Sequence, residues 1–396
     1  MSDPLPSRTQ VVIIGGGPAG TLLSHLLDRS GIQTVLIEQR SRDYVLGRVR
    51  AGVIEQGSAD ILRRAGLAER MDGEGLRHSA VNLAFRDRLL RIDFEELVGS
   101  SIMIYGQTEL QRDLYDARES TAGAHMVFEV VNVELDGLTA AEASVSFDTA
   151  GERRTVRCDF VAGCDGSHGV SASYLPADNV RAYEHVYPFG WLGFLTDTPP
   201  VSDELIYCNH ARGFALCSMR HLTRSRYYLQ CPLDTNLEDW PDDRFWEELS
   251  RRLPSEVAGT LATGPSIEKS IAPLASTVRE PMQHGRLFLA GDAAHVVPPT
   301  GAKGLNLAIS DVVHLARALD AFYARGSEAG LAGYSATALN RVWQAVRFSW
   351  WLTTLMHRLP DDGDFGLRIQ EAELEYLSTS MAAQTAMAEN YVGLPI

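Results

Sequence analysis

"QVVIIGGGPAGTLLSHLLDRSGIQTVLIEQ", Gln10 to Gln39, decides the fold. The β-branched run Val11-Val12-Ile13-Ile14 reads as a strand and stops at Gly15-Gly16-Gly17-Pro18-Ala19-Gly20. "TLLSHLLDRSG" follows with leucines at helical spacing, and "TVLIEQ" is a second short strand. Gly15-x-Gly17-x-x-Gly20 is weak by itself, but here it joins a strand to a helix, and Glu38 closes the next strand. Gly15 permits the tight turn, Gly17 lets a pyrophosphate approach the backbone, and Gly20 allows the helix to pack closely on the strand. The helix N-terminus offers free N–H groups and a partial positive charge to that pyrophosphate. Glu38 is placed to accept from an adenosine ribose. The expected fold is α/β (α+β overall), opening on a Rossmann-like domain, and the glycines leave NAD and FAD equally open.

Outward from this unit, "SADILRRAGLAERM" and "TELQRDLYDARES" read as amphipathic helices, and Met126 to Ala162 is mostly extended. From about Val180 to Gln230, β-like pieces alternate with Pro and Gly turns, which marks a second, sheet-based domain. "GRLFLAGDAAH" is again strand then turn, and "LNLAISDVVHLARALDAFYARG" opens a helical C-terminal region. The expected division is 1–180, 181–285 and 286–396, the last completing the nucleotide site.

The 396 residues suffice for two or three domains, and 45% hydrophobic with 22% charged residues is ordinary for a globular chain. A formal charge of −15 argues against nucleic acid as a partner, although local arginines can still hold a small anion. Five cysteines (158, 164, 208, 217 and 231) without CxxC spacing indicate neither a disulfide framework nor a metal site. The first residues, "MSDPLPSRTQ", lack a signal pattern, and no apolar run approaches the ~20 residues of a membrane span. A cytoplasmic protein is expected.

"ALCSMRHLTRSRYYLQ", Ala215 to Gln230, reads as a hairpin. Side chains alternate along a strand, so Ser218 and Arg220 share a face, as do Arg226, Tyr228 and Gln230. From these residues alone, a wetted face and a binding site both remain open.

"AGCDGSHGV" (162–170) and "RLFLAGDAAHVVPPTGAKGLNLA" (286–308) each end an apolar strand in Asp-Gly or Gly-Asp and a tight turn. With the glycine unit they resemble the DG and GD signatures of the FAD-dependent aromatic hydroxylases. Further stretches resemble the members acting on 4-hydroxybenzoate: "DYVLGRVRAGVIEQG", "YGQTELQRDL", "YPFGWLGFLTDTPPVSDELIY", "RGFALCS" with "TRSRYY", "EPMQHG", "RFSWWLTT" and "AENYVGLP". The resemblance runs along nearly the whole chain and implies tightly bound FAD. Asp292 then meets the ribityl chain, and backbone groups of Gly301, Leu305 and Asn306 face the flavin ring. Arg50, Gln107 and Arg226 contact the flavin or control its swing.

The same resemblance implies hydroxylation of 4-hydroxybenzoate at C3, to 3,4-dihydroxybenzoate, with NADPH and O2 through a flavin C4a-hydroperoxide. Ser218, Arg220 and Tyr228 would hold the carboxylate, Arg220 as the charge-assisted partner. Trp191, Leu205 and Leu216 are candidate walls of the ring slot, and Tyr207 would meet the phenol. A phenol titrates near ~10, so the protein must help remove its proton; in the family a relay matching Tyr207, Tyr391 and His78 does this. "GLRHSAV" around His78 matches loosely and "AENYVGLP" closely. The Pro299 carbonyl would lie near the reacting ring.

For the nicotinamide, Arg48 and His168 match family positions, and Arg40 with Tyr44 occupies the region that reads the 2′-phosphate. Ala172 and Ala275 stand where well-known members carry arginine, which implies weaker NADPH binding and some use of NADH. Another hydroxylated aromatic acid is the alternative substrate, and a non-catalytic flavoprotein scaffold the alternative class. The chain has no WxWxIP-like stretch of the flavin halogenases. A homodimer is expected from the family, with "FSWWLTTLMH" able to supply either an interface or internal packing.

Overall fold

A five-stranded parallel array organises the first half of the molecule. The computed structural model describes residues 5–47, 52–121 and 123–396. Arg8–Ile14 lies between Thr34–Ile37 and Glu152–Gly163, flanked by His125–Val127 on one side and Leu287–Leu289 on the other, every pairing parallel. Thr34–Ile37 is buried throughout, as expected of a strand covered on both faces. An antiparallel extension, Val131–Asp136 and Ala143–Thr149, hangs from Glu152–Gly163. Helices Pro18–Arg29 and Gly304–Arg325 pack together against this sheet.

The second sheet has eight strands, in the order His295–Val296, Ser266–Glu280, Arg181–Thr196, Arg224–Cys231, Ala215–His221, Ile206–Cys208, Ala80–Phe85 and Arg88–Asp93. Its alternation sorts side chains to two cores. Leu192, Phe194, Cys217, Tyr227 and Leu229 pack under helix Asp242–Arg252. Trp191, Leu205, Tyr207, Leu216 and Tyr228 face the other way, toward residues of the C-terminal helices Ala329–Met356, Gly363–Thr379 and Met381–Val392. The consecutive Tyr227 and Tyr228 therefore point to opposite cores.

The sheets do not respect the divisions expected at 180 and 285. Ala80–Asp93 pairs into the second sheet through Asn82–Ile206, and Gln283–His284 belongs to the first. Strand pairing is decided by the side-chain face buried, and neighbours in space need not be neighbours in sequence. Among the described residues no helix is long and apolar enough to cross a membrane.

Candidate active site

At the end of the first strand the chain turns at Gly15 with φ +108°, a conformation glycine adopts without strain. A Cβ at Gly20 would sit 2.0 Å from the Gly15 oxygen, so helix and turn meet backbone to backbone. At Gly17 a Cβ would meet nothing within 4 Å, leaving that side open. Helix Pro18–Arg29 has no side-chain cap, so its first N–H groups are free for an anion. The buried Glu38 carboxylate accepts from the Gly16 and Arg40 N–H groups, each at 2.7 Å. Gln111 and Tyr115 both donate to the Gly16 carbonyl, at 3.1 and 2.7 Å, and brace the turn; no motif singled them out.

The turn before Asp292 lies between two helix starts. Gly291, at φ +62°, would carry a Cβ 3.1 Å from that of Ala308 and 3.6 Å from that of Ala19. Its N–H donates to Asp311 Oδ2 at 2.9 Å, and the same oxygen lies 2.6 Å from His295 Nε2 in a buried pair. Helix Gly304–Arg325 is likewise uncapped by a side chain. Gly301 is buried and Leu305 partly so. The Asn306 side chain is engaged elsewhere: its amide donates to the Val53 and Ala302 carbonyls, and its oxygen accepts from the Glu55 N–H. Only its backbone is available, because the amide ties the loop to the strand before it.

The hairpin supplies a row of side chains across one face. Tyr207 pairs with Leu216, Leu216 with Tyr228, and Tyr228 with Gly193, while Ser218 pairs with Arg226. A Cβ at Gly193 would lie 3.1 Å from both the Tyr228 ring and the Arg226 guanidinium, so a glycine makes their room. Arg220 contacts the Tyr228 phenol, and burial lowers its pKa while that phenol opposes the shift. Its Nε is buried without a hydrogen-bond partner, and among the described residues no carboxylate pairs with it. Arg226, by contrast, is bound to Glu268 and Ser270, each at 3.1 Å. Here a guanidinium is held out of water with no counter-charge, which favours an incoming anion.

At the other end of the row, the Tyr207 hydroxyl lies 2.8 Å from that of Tyr391 and 2.9 Å from the Thr300 carbonyl. Burial pushes the Tyr207 phenol up to about 12, eased by its bond to Tyr391, and raises Tyr391 further. Tyr391 stacks on Phe94 at 5.1 Å. Its carbonyl accepts from Lys303 Nζ at 3.0 Å, and Lys303 in turn pairs with buried Glu55 at 2.7 Å. The Pro299 carbonyl accepts from the Ala302 N–H at 2.9 Å; the carbonyl that meets Tyr207 is that of Thr300. The 3-10 turn Pro299–Gly301 closes on itself through Pro299 and presents the next carbonyl. His78 is buried with both ring nitrogens unpartnered and bonds to neither tyrosine. Burial lowers its pKa, against the field of Glu204 and Asp203.

A profile of the family described as FAD binding domain matches residues 8–349. The chain is 53% identical over 389 residues to p-hydroxybenzoate hydroxylase of Acinetobacter baylyi, covering 98% of this chain and 96% of that protein. The chain belongs to the FAD-dependent aromatic hydroxylases. It is 26% identical to an uncharacterized aromatic compound monooxygenase of Bacillus subtilis, over 78% of this chain and 60% of that one. The fold matches the crystal structure of p-nitrophenol 4-monooxygenase from Pseudomonas putida with a TM-score of 0.83, at 18% identity, over 99% and 100% of the two chains.

The residues fit the cofactor of this family. The open face at Gly17 and two uncapped helix starts suit a pyrophosphate, and Glu38 keeps lone pairs for a ribose. Gln107 opens its helix, partly exposed, and Asp292 is half-buried beside the glycine turn. Arg48 and Arg50 lie outside the described residues. Arg40 is exposed with its guanidinium 5.1 Å from the Tyr44 ring centroid, and His168 is exposed after the DG turn. Ala172 and Ala275 are partly exposed, and Ala275 lies opposite exposed Val186.

Proposed function

We propose that this hydroxylase acts on 4-hydroxybenzoate, converting it with NAD(P)H and O2 to 3,4-dihydroxybenzoate, oxidised nicotinamide and water. The observation that carries this reading is the Arg220 guanidinium, without a carboxylate partner among the described residues and in contact with Tyr228, whose strand lies two strands from that of Tyr207 in the Tyr207–Tyr391 pair. At about 4.8 Å per strand the Tyr207 and Tyr228 backbones are roughly 10 Å apart, a span for one ring with a polar group at each end. Arg220, Ser218 and Tyr228 would take the carboxylate, while Trp191, Leu205 and Leu216 flank the ring. Tyr207 would accept the phenolic proton and pass it toward Tyr391, with His78 beyond. Removing that proton enriches the ring at the carbon beside the hydroxyl, where oxygen is inserted. FAD, when bound, would carry the electrons of NAD(P)H to O2 and activate that oxygen for transfer. The buried Tyr207–Thr300 contact keeps water from that end of the slot. Pro299, Gly301, Leu305, Asn306 and Asp292, with Gly15, Gly17, Gly20, Glu38, Gln107 and Arg226, would hold or admit the cofactor. We assign the cofactor half to 1–180 and 286–396 without Ala80–Asp93, which joins 181–285 in forming the slot.

NADPH is the proposed reductant, read by Arg40, Tyr44 and His168, with NADH accepted because Ala172 and Ala275 contribute no charge. A homodimer is supported by exposed Trp350, Phe365, Ile369, Tyr376 and Met381 on the C-terminal helices. A cytoplasmic location is supported by five buried, free cysteines.

The deciding experiment is the anaerobic bleaching of bound flavin by NADPH with a panel of hydroxybenzoates. Acceleration by 4-hydroxybenzoate above the others, with 3,4-dihydroxybenzoate formed in air, supports the reading. A stronger response to a different ring acid overturns the substrate assignment.

A further inference from the structure

The end of helix Ala329–Met356 buries a polar stripe alongside its apolar residues Phe348, Leu352, Leu355 and Met356. Ser349, Thr353 and His357 are fully buried, whereas Trp350 is 50% exposed. A four-residue spacing places the three polar residues on one stripe. Each meets a different part of the site. Ser349 Oγ would lie 2.6 Å from a Cβ at Gly301. The Thr353 and Thr300 hydroxyls are 2.9 Å apart. His357 Nε2 lies 2.7 Å from the indole nitrogen of Trp191.

Because an indole N–H can only donate, Nε2 of His357 must accept, and the ring proton sits on Nδ1. That Nδ1–H donates to the Thr353 carbonyl at 2.8 Å. Burial lowers the imidazole pKa to about 3, so the acceptor stays unprotonated at neutral pH. The ring lies parallel to Phe189 at 4.7 Å and to Trp191 at 5.8 Å, and 4.1 Å from Phe214. Phenylalanine would satisfy the stack but leave the indole N–H buried without a partner, which is unfavourable.

We propose that His357 is a positioning residue for the aromatic substrate: it holds the Trp191 indole as one wall of the ring slot and ties that wall, through Thr353, to the Thr300–Gly301 loop. This rests on the slot reading given above. Nothing in the hydrogen bonding of His357 faces the slot directly, so its effect on the substrate passes through Trp191.

The test compares His357→Phe, His357→Gln, Trp191→Phe and the His357→Phe/Trp191→Phe pair as holoenzymes. The loss of one buried hydrogen bond predicts that His357→Phe raises the KM for 4-hydroxybenzoate about tenfold, with kcat less affected and more NADPH oxidised without product. His357→Gln, which keeps an acceptor, should recover most of that loss. Trp191→Phe should raise KM similarly, and adding His357→Phe to it should change KM by less than about twofold. A normal KM in His357→Phe beside a raised KM in Trp191→Phe overturns the inference and spares the slot. A full tenfold effect of His357→Phe in the Trp191→Phe background also overturns it. A silent Trp191→Phe removes the slot reading and the inference together. Should His357→Phe fail to fold, His357→Asn replaces it, since its shorter amide keeps a polar group near Thr353 but falls short of the indole.

Discussion

The hydroxyl oxygens of Tyr207 and Tyr391 lie 2.8 Å apart although 184 positions separate them in the chain. Both are fully buried, and the Thr300 carbonyl fixes Tyr207 from a third element. A phenol donating to Tyr207 would meet a chain for its proton once the single Tyr207 hydrogen turns from the Thr300 carbonyl to the Tyr391 oxygen. Tyr391→Phe breaks that chain without altering the slot. Turnover at neutral pH should fall about a hundredfold, with KM within about threefold of the parent. Raising the pH toward ~10 should restore part of the turnover as the substrate phenol ionises unaided. Steady-state kinetics from pH 7 to 10 provide the check, and a pH-independent deficit would count against the relay.

Arg220 has the opposite character, a cation that meets the Tyr228 phenol but, among the described residues, no carboxylate. Arg220→Met removes the anchor for a carboxylate and should weaken 4-hydroxybenzoate by at least about 2 kcal/mol, roughly thirtyfold in KM. The same substitution relieves a guanidinium held partly out of water, so the melting temperature of the ligand-free protein should not fall. A variant that melts early while binding normally would assign Arg220 to structure.

Two glycines separate cofactor binding from folding. At Gly20 a Cβ would collide with the Gly15 oxygen at 2.0 Å, so Gly20→Ala should lower both apoprotein stability and FAD affinity. At Gly17 a Cβ meets nothing, so Gly17→Ala should leave apoprotein melting unchanged and weaken FAD alone. Melting curves and flavin fluorescence titrations of the two variants distinguish these outcomes.

The buried His295–Asp311 pair beneath Gly291 gives a stability effect with a definite sign. Burial alone would lower the His295 pKa, but Asp311 at 2.6 Å outweighs it and raises the value above 6.5. A group whose pKa is higher folded than unfolded stabilises fully below its unfolded value, and the gain is lost as pH rises through the folded value. Thermal stability should therefore decline as pH climbs from about 6.5 upward through that higher value. Asp311→Asn should flatten this slope and destabilise the fold by about 3 kcal/mol or more. An unchanged slope in Asp311→Asn would show that another group titrates.

Dinucleotide preference is tested at Arg40 and Ala275. Arg40→Ala should raise the KM for NADPH about tenfold or less and leave NADH nearly unaffected, since only NADPH carries the extra phosphate. Ala275→Arg should move preference toward NADPH. Equal losses with both dinucleotides in Arg40→Ala would detach that residue from phosphate recognition.

Much of the cofactor half was legible in the sequence, because its parts are local. A strand, a glycine turn and a helix are successive, and the steric demand at Gly20 is set by Gly15 and Ile13 just before it, although a Cβ at Gly15 would meet the distant Cys164 backbone. The period of two along "TRSRYY" likewise separated Tyr227 from Tyr228 before any contact was known. Tertiary structure alone decided which distant groups meet: Ala80–Asp93 joining the second sheet, Thr300 offering its carbonyl to Tyr207, and His357 accepting from Trp191. Such contacts arise from the burial of whole faces against one another, and spacing along the chain carries no record of which face will be opposite.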